Sequence, residues 1–267
     1  RRQRGRKGGG WGWGPWVAAG VAAASLLLLA AAFAFPPAPP SLGDDAWPAR
    51  LQVPLESLRE PMQSGVWDAL AAAGEAATVA EEGEAAVREW PAAKGWGTFR
   101  GLVFATSQGV EGGHAVRCAD GVCEADWEGT ETRAPPFEYL EAMALAALAL
   151  QRGEDACAAP ARVLHVGLGA GTLPLWLHRF VPAWRQTVVE LSADVLALAP
   201  ALGLREDGRL RLVQAEGGAY LRGLAPASAD LLLVDAYDGD DRIPAGLRSA
   251  AGVAAMRRAG GGAGQVV

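Results

Sequence analysis

Between Val166 and Leu173 the chain reads Gly167-Leu168-Gly169-Ala170-Gly171-Thr172, and acids follow at Glu190, Glu216, Asp235 and Asp238. Glycines let a backbone turn tightly and come close to a ligand. A helix that starts at such a loop adds unpaired N–H groups and a positive dipole. The chemistry this predicts is the cradling of a nucleotide or nucleoside. An acid about 20 residues past such a loop accepts both ribose hydroxyls in nucleotide-binding α/β folds, and Glu190 stands there.

These residues need a scaffold, and the surrounding pattern supplies one. Residues Ala161 to Val166 (ARVLHV) predict a short buried strand, Leu173 to Phe180 a helix, and Gln186 to Leu191 a second strand ending at Glu190. After a helix over Ala193 to Ala201, strands at Arg209 to Val213 and Ala229 to Val234 lead into Glu216 and Asp235. Alternating strands and helices predict a parallel sheet, whose ligands bind outside the carboxyl ends of the strands. Gly167, Gly169, Gly171, Glu190, Glu216 and Asp235 are therefore the candidate ligand-binding set. For each acid alone, a solvated loop or a helix cap is the competing assignment.

Upstream, Thr98 to Glu128 predicts short strands at Phe99 to Thr106, His114 to Cys118 and Val122 to Trp127. Asp120-Gly121 is a hairpin signal, because a type I′ turn needs two residues at positive φ. With those two residues as the loop, Cys118 faces Cys123 in a non-hydrogen-bonded pair, within the separation that a disulfide spans. An oxidising compartment would permit the bridge, and two reduced packing cysteines are the alternative. Cys157 and the three His lack metal-ligand spacing, so no metal is expected.

Over roughly Phe99 to Val267 these motifs resemble the spermidine synthase family. Asp120-Gly121-Val122 with Glu124 is similar to that family's hairpin, Phe137-Glu138-Tyr139-Leu140-Glu141 to its aromatic-x-Y-x-E segment, Val163 to Leu173 to its glycine loop, and Val234 to Pro244 (VDAYDGDDRIP) to its D-x-x-D loop. The resemblance implies a small β-domain before a Rossmann-like methyltransferase domain. It also implies S-adenosylmethionine or its decarboxylated form as cosubstrate, an amine or other small-molecule acceptor, Asp235 holding the nucleoside, and Tyr139 lining the amine pocket. Asp238 would be the group that orients and deprotonates the attacking amine, which must be neutral to attack a carbon beside a sulfonium.

The chain departs from that pattern at Ala170, where the family has Asp, and at Glu124, where it has Gln. Two residues before the first glycine, where methyltransferases carry an acid, stands His165, which reads as a core histidine. The form G-L-G-x-G-T-L-P is closer to the methyltransferase relatives of the family than to its polyamine enzymes. Aminopropyl and methyl transfer both stay open. So do a catalytically inactive nucleoside-binding scaffold at a membrane and, from the glycine loop alone, a nicotinamide-dependent oxidoreductase.

The amino-terminal third has a different character. Trp16 to Phe35 is an uncharged apolar run preceded by Arg1, Arg2, Arg4, Arg6 and Lys7, and about 20 helical residues cross a bilayer. The run predicts a membrane anchor, with a cleaved signal ending near Ala34 or an organelle import sequence as alternatives. Localisation is thus membrane-anchored, plastid or mitochondrial. Domain limits are expected at 1–40 for the basic flank and apolar segment, and at 41–97 for a linker with helical stretches such as Trp67 to Ala73 and Val79 to Glu89. A β-hairpin region over 98–134 and a Rossmann-like domain over 135–267 complete the division. That last domain is expected to lack its carboxyl-terminal part, since Gln265-Val266-Val267 reads as the beginning of a strand. A net charge of -6 gives no general basic surface, so nucleic acid is not an expected partner; a homodimer is allowed.

Overall fold

Asp120 and Gly121 both adopt positive φ (50° and 77°) and close the hairpin between strands β4 (Gly112–Ala119) and β5 (Val122–Ala125). That two-residue turn sets the register Ala119 to Val122 and Cys118 to Cys123, and the two cysteines form a disulfide. The computed structural model describes residues 70, 72–93, 97–105, 110–128, 133–150, 159–238, 242–261 and 265–267. The apolar segment Trp16 to Phe35 lies outside them. Among the described residues no helix is long and apolar enough to cross a membrane.

Three more strands precede the hairpin: β1 (Ala77–Glu82), β2 (Ala85–Ala93) and β3 (Gly97–Phe104), giving an antiparallel sheet in chain order β1-β2-β3-β4-β5. The helix expected over Val79 to Glu89 is therefore corrected to a strand hairpin, and the β-region begins at Ala77, inside what reads as linker. The Ala and Glu content of this stretch favours helix locally. Tertiary packing overrides it: Ala85, Val87 and Trp90 are buried, the first two at the alternate positions that a strand presents to one face. Gly83, at φ 54°, makes the intervening turn.

A second sheet is parallel, in the order β10-β9-β6-β7-β8. Its strands are β6 (Arg162–Val166), β7 (Arg185–Glu190), β8 (Leu210–Gln214), β9 (Leu231–Val234) and β10 (Gln265–Val266). Helices α1 (Glu138–Leu150), α2 (Thr172–Phe180), α3 (Ala193–Leu198), α4 (Gly217–Gly223), α5 (Ala245–Arg248) and α6 (Ala250–Gly260) cover it. From β6 the chain winds through β7 to β8, then returns to lay β9 on the other side of β6. The crevice where ligands bind in open α/β sheets opens at that reversal.

Both faces of the parallel sheet are buried, as its unbroken apolar strands predict. Val163, Leu231 and Leu233 join one core with Leu173, Trp176 and Leu177, while Leu164, Val166 and Leu232 join another with Leu221, Ala255 and Met256. Val87, Phe99 and Leu102 of the antiparallel sheet belong to the first of these cores, so that sheet packs on the Rossmann-like layer. Polar groups lock the seam. Arg100 donates to the Ala201 carbonyl (2.6 Å) and pairs with Glu89 (2.7 Å). The His114 ring meets the Leu202 carbonyl through Nε2 (2.8 Å) and Thr172 Oγ1 through Nδ1 (3.2 Å). A carbonyl only accepts, so Nε2 carries the proton.

Candidate functional site

The glycine loop begins at the tip of β6, the central strand, where each backbone group has an assigned place. The Gly167 amide donates to the Val189 carbonyl (2.8 Å), and the Asp235 amide donates to the Val166 carbonyl (2.9 Å). Gly167 sits at φ 100°, and a Cβ on it would run into the Asp235 carbonyl. Only glycine permits this approach of two chain segments. Gly169 differs: at φ 52° it faces open space, with nothing within 4 Å of where a side chain would be. Gly171, at φ 73°, is the N-cap of α2 and supplies no side-chain hydrogen bond, leaving first-turn amides for a ligand.

Glu190 ends β7 and grips this loop. Its Oε2 accepts from the Leu168 amide (2.9 Å) and its Oε1 from the Ser192 amide (2.8 Å). Each carboxylate oxygen keeps a further lone pair, so ribose hydroxyls can donate to an acid already held in place.

Glu216 is placed differently. It stands at the carboxyl end of β8, but it is the N-cap of α4, with Oε1 accepting from Gly218 N (2.8 Å) and Oε2 from Ala219 N (2.6 Å). Its carboxylate caps its own helix, and each oxygen keeps a further lone pair, as at Glu190.

Asp235 follows β9 at the reversal point. Its carboxylate is largely desolvated, which pushes its pKa up to about 6. Tyr139, in the first turn of α1, comes to the same place. Although the residue is 41% exposed, its pKa is raised, first by desolvation and then by Asp235, Tyr237 and Glu111. Tyr139 and Asp235 thus interact electrostatically, and Glu111, which no motif marks, acts on the same hydroxyl. Asp238 lies three residues beyond Asp235 and is exposed; its amide donates to the Arg242 carbonyl (2.8 Å), and the Arg242 amide donates to Asp238 Oδ1 (3.1 Å).

His165 is buried in a strand and bonded through Nε2 to Gln186 Oε1 (2.8 Å), which fits a core histidine. Burial lowers the pKa of both His165 and His114 to about 4, against small raising effects of their hydrogen bonds. Their folded values lie below the unfolded value, so the unfolded chain binds more protons between pH 6.5 and 4, and stability present above pH 6.5 is lost as pH falls. Asp235 acts in the opposite sense between its ordinary value and pH 6. Two histidines against one carboxylate predict a net loss on the order of 4 kcal/mol from pH 7 to pH 4. Urea unfolding at stepped pH measures it; a flat profile would contradict neutral burial of the two rings.

The same sign argument applies to Asp235 alone. Ionised at pH 7 while partly desolvated, it costs stability, so Asp235→Asn stabilises the free protein by on the order of 2 kcal/mol while weakening ligand binding. Thermal melts with and without ligand test this opposition, and a destabilised variant would refute it.

No family model matches the chain. The polyamine aminopropyltransferase of Neisseria meningitidis serogroup B is 32% identical over 90 residues, which is 33% of this chain and 34% of that protein. The eEF1A lysine and N-terminal methyltransferase of Mus musculus is 32% identical over 107 residues, 39% of this chain and 15% of that protein. The chain therefore spans about a third or less of the length of these relatives. A probable spermidine synthase from Corynebacterium glutamicum superposes with a TM-score of 0.52 at 17% identity, covering 69% of this chain and 60% of that one. This chain has a spermidine synthase-like fold.

Proposed function

We propose that the chain is a transferase that binds S-adenosylmethionine or its decarboxylated form and passes an aminopropyl or methyl group to an amine. The observation that carries this reading is the fit of Gly167 against the Asp235 carbonyl while Glu190 holds the Leu168 amide. That arrangement puts the open face of Gly169, the start of α2 without a side-chain cap and the Glu190 carboxylate on the same loop.

In the reaction the acceptor nitrogen's lone pair forms the new C–N bond, and the C–S bond breaks with its electrons passing to sulfur. A neutral thioether leaves. Asp238 takes the proton released by nitrogen, and Tyr139, kept protonated by its raised pKa, offers a hydroxyl that hydrogen-bonds the incoming amine. Nucleoside binding rests on Gly167, Gly169, Gly171, Glu190 and Asp235; Glu216 supports the site indirectly, by capping α4.

Mass spectrometry of the thioether product tests the proposal. With a mixture of amines, the decarboxylated donor should yield 5′-methylthioadenosine if an aminopropyl group moves. The parent donor should yield S-adenosylhomocysteine if a methyl group moves. Absence of both products from a protein that folds would overturn it.

A further inference from the structure

The two ends of the bridge in the β4–β5 hairpin have different surroundings. Cys118 is exposed on β4, whereas Cys123, opposite it on β5, is only 6% exposed. The cover on that side comes from the other layer. The turn of 3-10 helix over Ala199–Leu202 leads into Gly203, which lies so close to β5 that a Cβ on it would be 3.1 Å from Glu124 Cα and Ala125 N. Arg100 reaches from β3 into this contact, where its Nη1 donates to Cys123 Sγ (3.0 Å) and to the Ala201 carbonyl (2.6 Å).

Thiol–disulfide exchange is faster where the attacked sulfur is accessible and where the leaving thiol has a low pKa. A neighbouring guanidinium stabilises a thiolate and so lowers that pKa. Access favours Cys118 as the sulfur attacked, and Arg100 favours Cys123 as the sulfur that leaves. The two preferences point the same way along one bond. Glu89 works against the second, because its Oε2 lies 2.7 Å from Arg100 Nε and offsets part of the positive charge. Arg117 and Glu124, the next cross-strand pair, project from the opposite face of the hairpin.

We infer that this hairpin is a thiol-exchange site for low-molecular-weight thiols: a thiolate attacks Cys118 Sγ from solvent, and Cys123 leaves as a thiolate held by Arg100. A bond forms between the incoming sulfur and Cys118 Sγ, and the Cys118–Cys123 bond breaks with its electron pair passing to Cys123 Sγ. Cys123 then either attacks Cys118 again and expels the first thiolate, or waits while a second thiolate attacks the external sulfur. The second course leaves two protein thiols and one small disulfide, so two thiols are oxidised as one protein bridge is reduced. Because Arg100 also holds the Ala201 carbonyl, the negative charge develops at the seam between the two sheets.

The test uses the whole chain carrying Cys157→Ser, so that this pair alone reports. The protein is exposed to 2-mercaptoethanol, quenched with acid at successive times, labelled with a maleimide and mapped by mass spectrometry. The first adduct should carry 2-mercaptoethanol on Cys118 and maleimide on Cys123. Arg100→Gln should form it about tenfold more slowly, the scale of one charge-assisted hydrogen bond, and Arg100→Lys should recover part of the loss. Unfolding would expose the bridge and speed the exchange, so a slowed Arg100→Gln is not a folding defect. Glu89→Gln, which leaves the bond from Arg100 to Ala201 in place, should exchange a few-fold faster, and it decides the matter if Arg100→Gln does not fold. A first adduct on Cys123 or on both cysteines equally, an unchanged rate in folded Arg100→Gln, an unchanged or slower rate in Glu89→Gln, or two free thiols in the air-oxidised protein would each overturn the inference.

Discussion

Asp238→Asn is expected to lower kcat by about a thousandfold while leaving donor affinity nearly intact, the effect of deleting a positioned proton acceptor. The substitution is structurally mild because Asp238 Oδ1 accepts the Arg242 amide, and the amide oxygen of Asn can do the same. The hydrogen bond between residues 238 and 242 therefore persists. What is lost is the capacity to take a proton from nitrogen as the C–N bond forms. Steady-state kinetics separates the two quantities: a fall in kcat with constant KM supports proton acceptance, and a raised KM at constant kcat would make Asp238 a binding residue. An unchanged rate would show that the base lies elsewhere.

Gly167→Ala is expected to destabilise the protein by about 3 kcal/mol, combining backbone strain with overpacking. At φ 100° an alanine is strained whatever its surroundings, and here its methyl also meets the Asp235 carbonyl. Relief requires β6 and β9 to part at their tips, which moves Asp235 and the loop that holds a ligand. Gly169→Ala is the control. It adopts φ 52° in open space, so its cost to stability is about 1 kcal/mol, yet its methyl occupies the face offered to a ligand. Denaturant unfolding of both variants, with titration of the folded protein, should therefore find Gly167→Ala chiefly unstable and Gly169→Ala chiefly deficient in binding. Equal stability of the two would contradict the close approach of Gly167 to β9.

Features set by local chemistry are the ones that sequence makes legible. Asp120-Gly121 dictates a two-residue turn, and from the turn follow the register and the cysteine pairing. The order of strand, glycine loop and helix likewise places Glu190 and Asp235 at the tips of the two strands that flank β6, because parallel strands bring their carboxyl ends to one side. Features set by distant packing are not legible. Val79 to Glu89 has helix-favouring residues, and its strands form only because Ala85, Val87 and Trp90 have a Rossmann-like layer to pack on. Glu216 stands where a ligand-binding acid would stand, but two free amides of its own helix are nearer partners. Glu111 carries no motif; its amide is held by the Leu102 carbonyl of the adjoining strand, a pairing set by the antiparallel sheet. His114 reads as one strand residue among others, yet it ties the antiparallel sheet to Thr172 and Leu202.

The account depends on an adenosyl group lying on the glycine loop with its ribose at Glu190. Calorimetric titration with S-adenosylmethionine, its decarboxylated form and NAD tests that most directly. The account predicts saturable binding of an adenosyl sulfonium, abolished in Glu190→Ala, and no comparable binding of NAD. Tight binding of NAD alone, or sulfonium binding that survives Glu190→Ala undiminished, would contradict it.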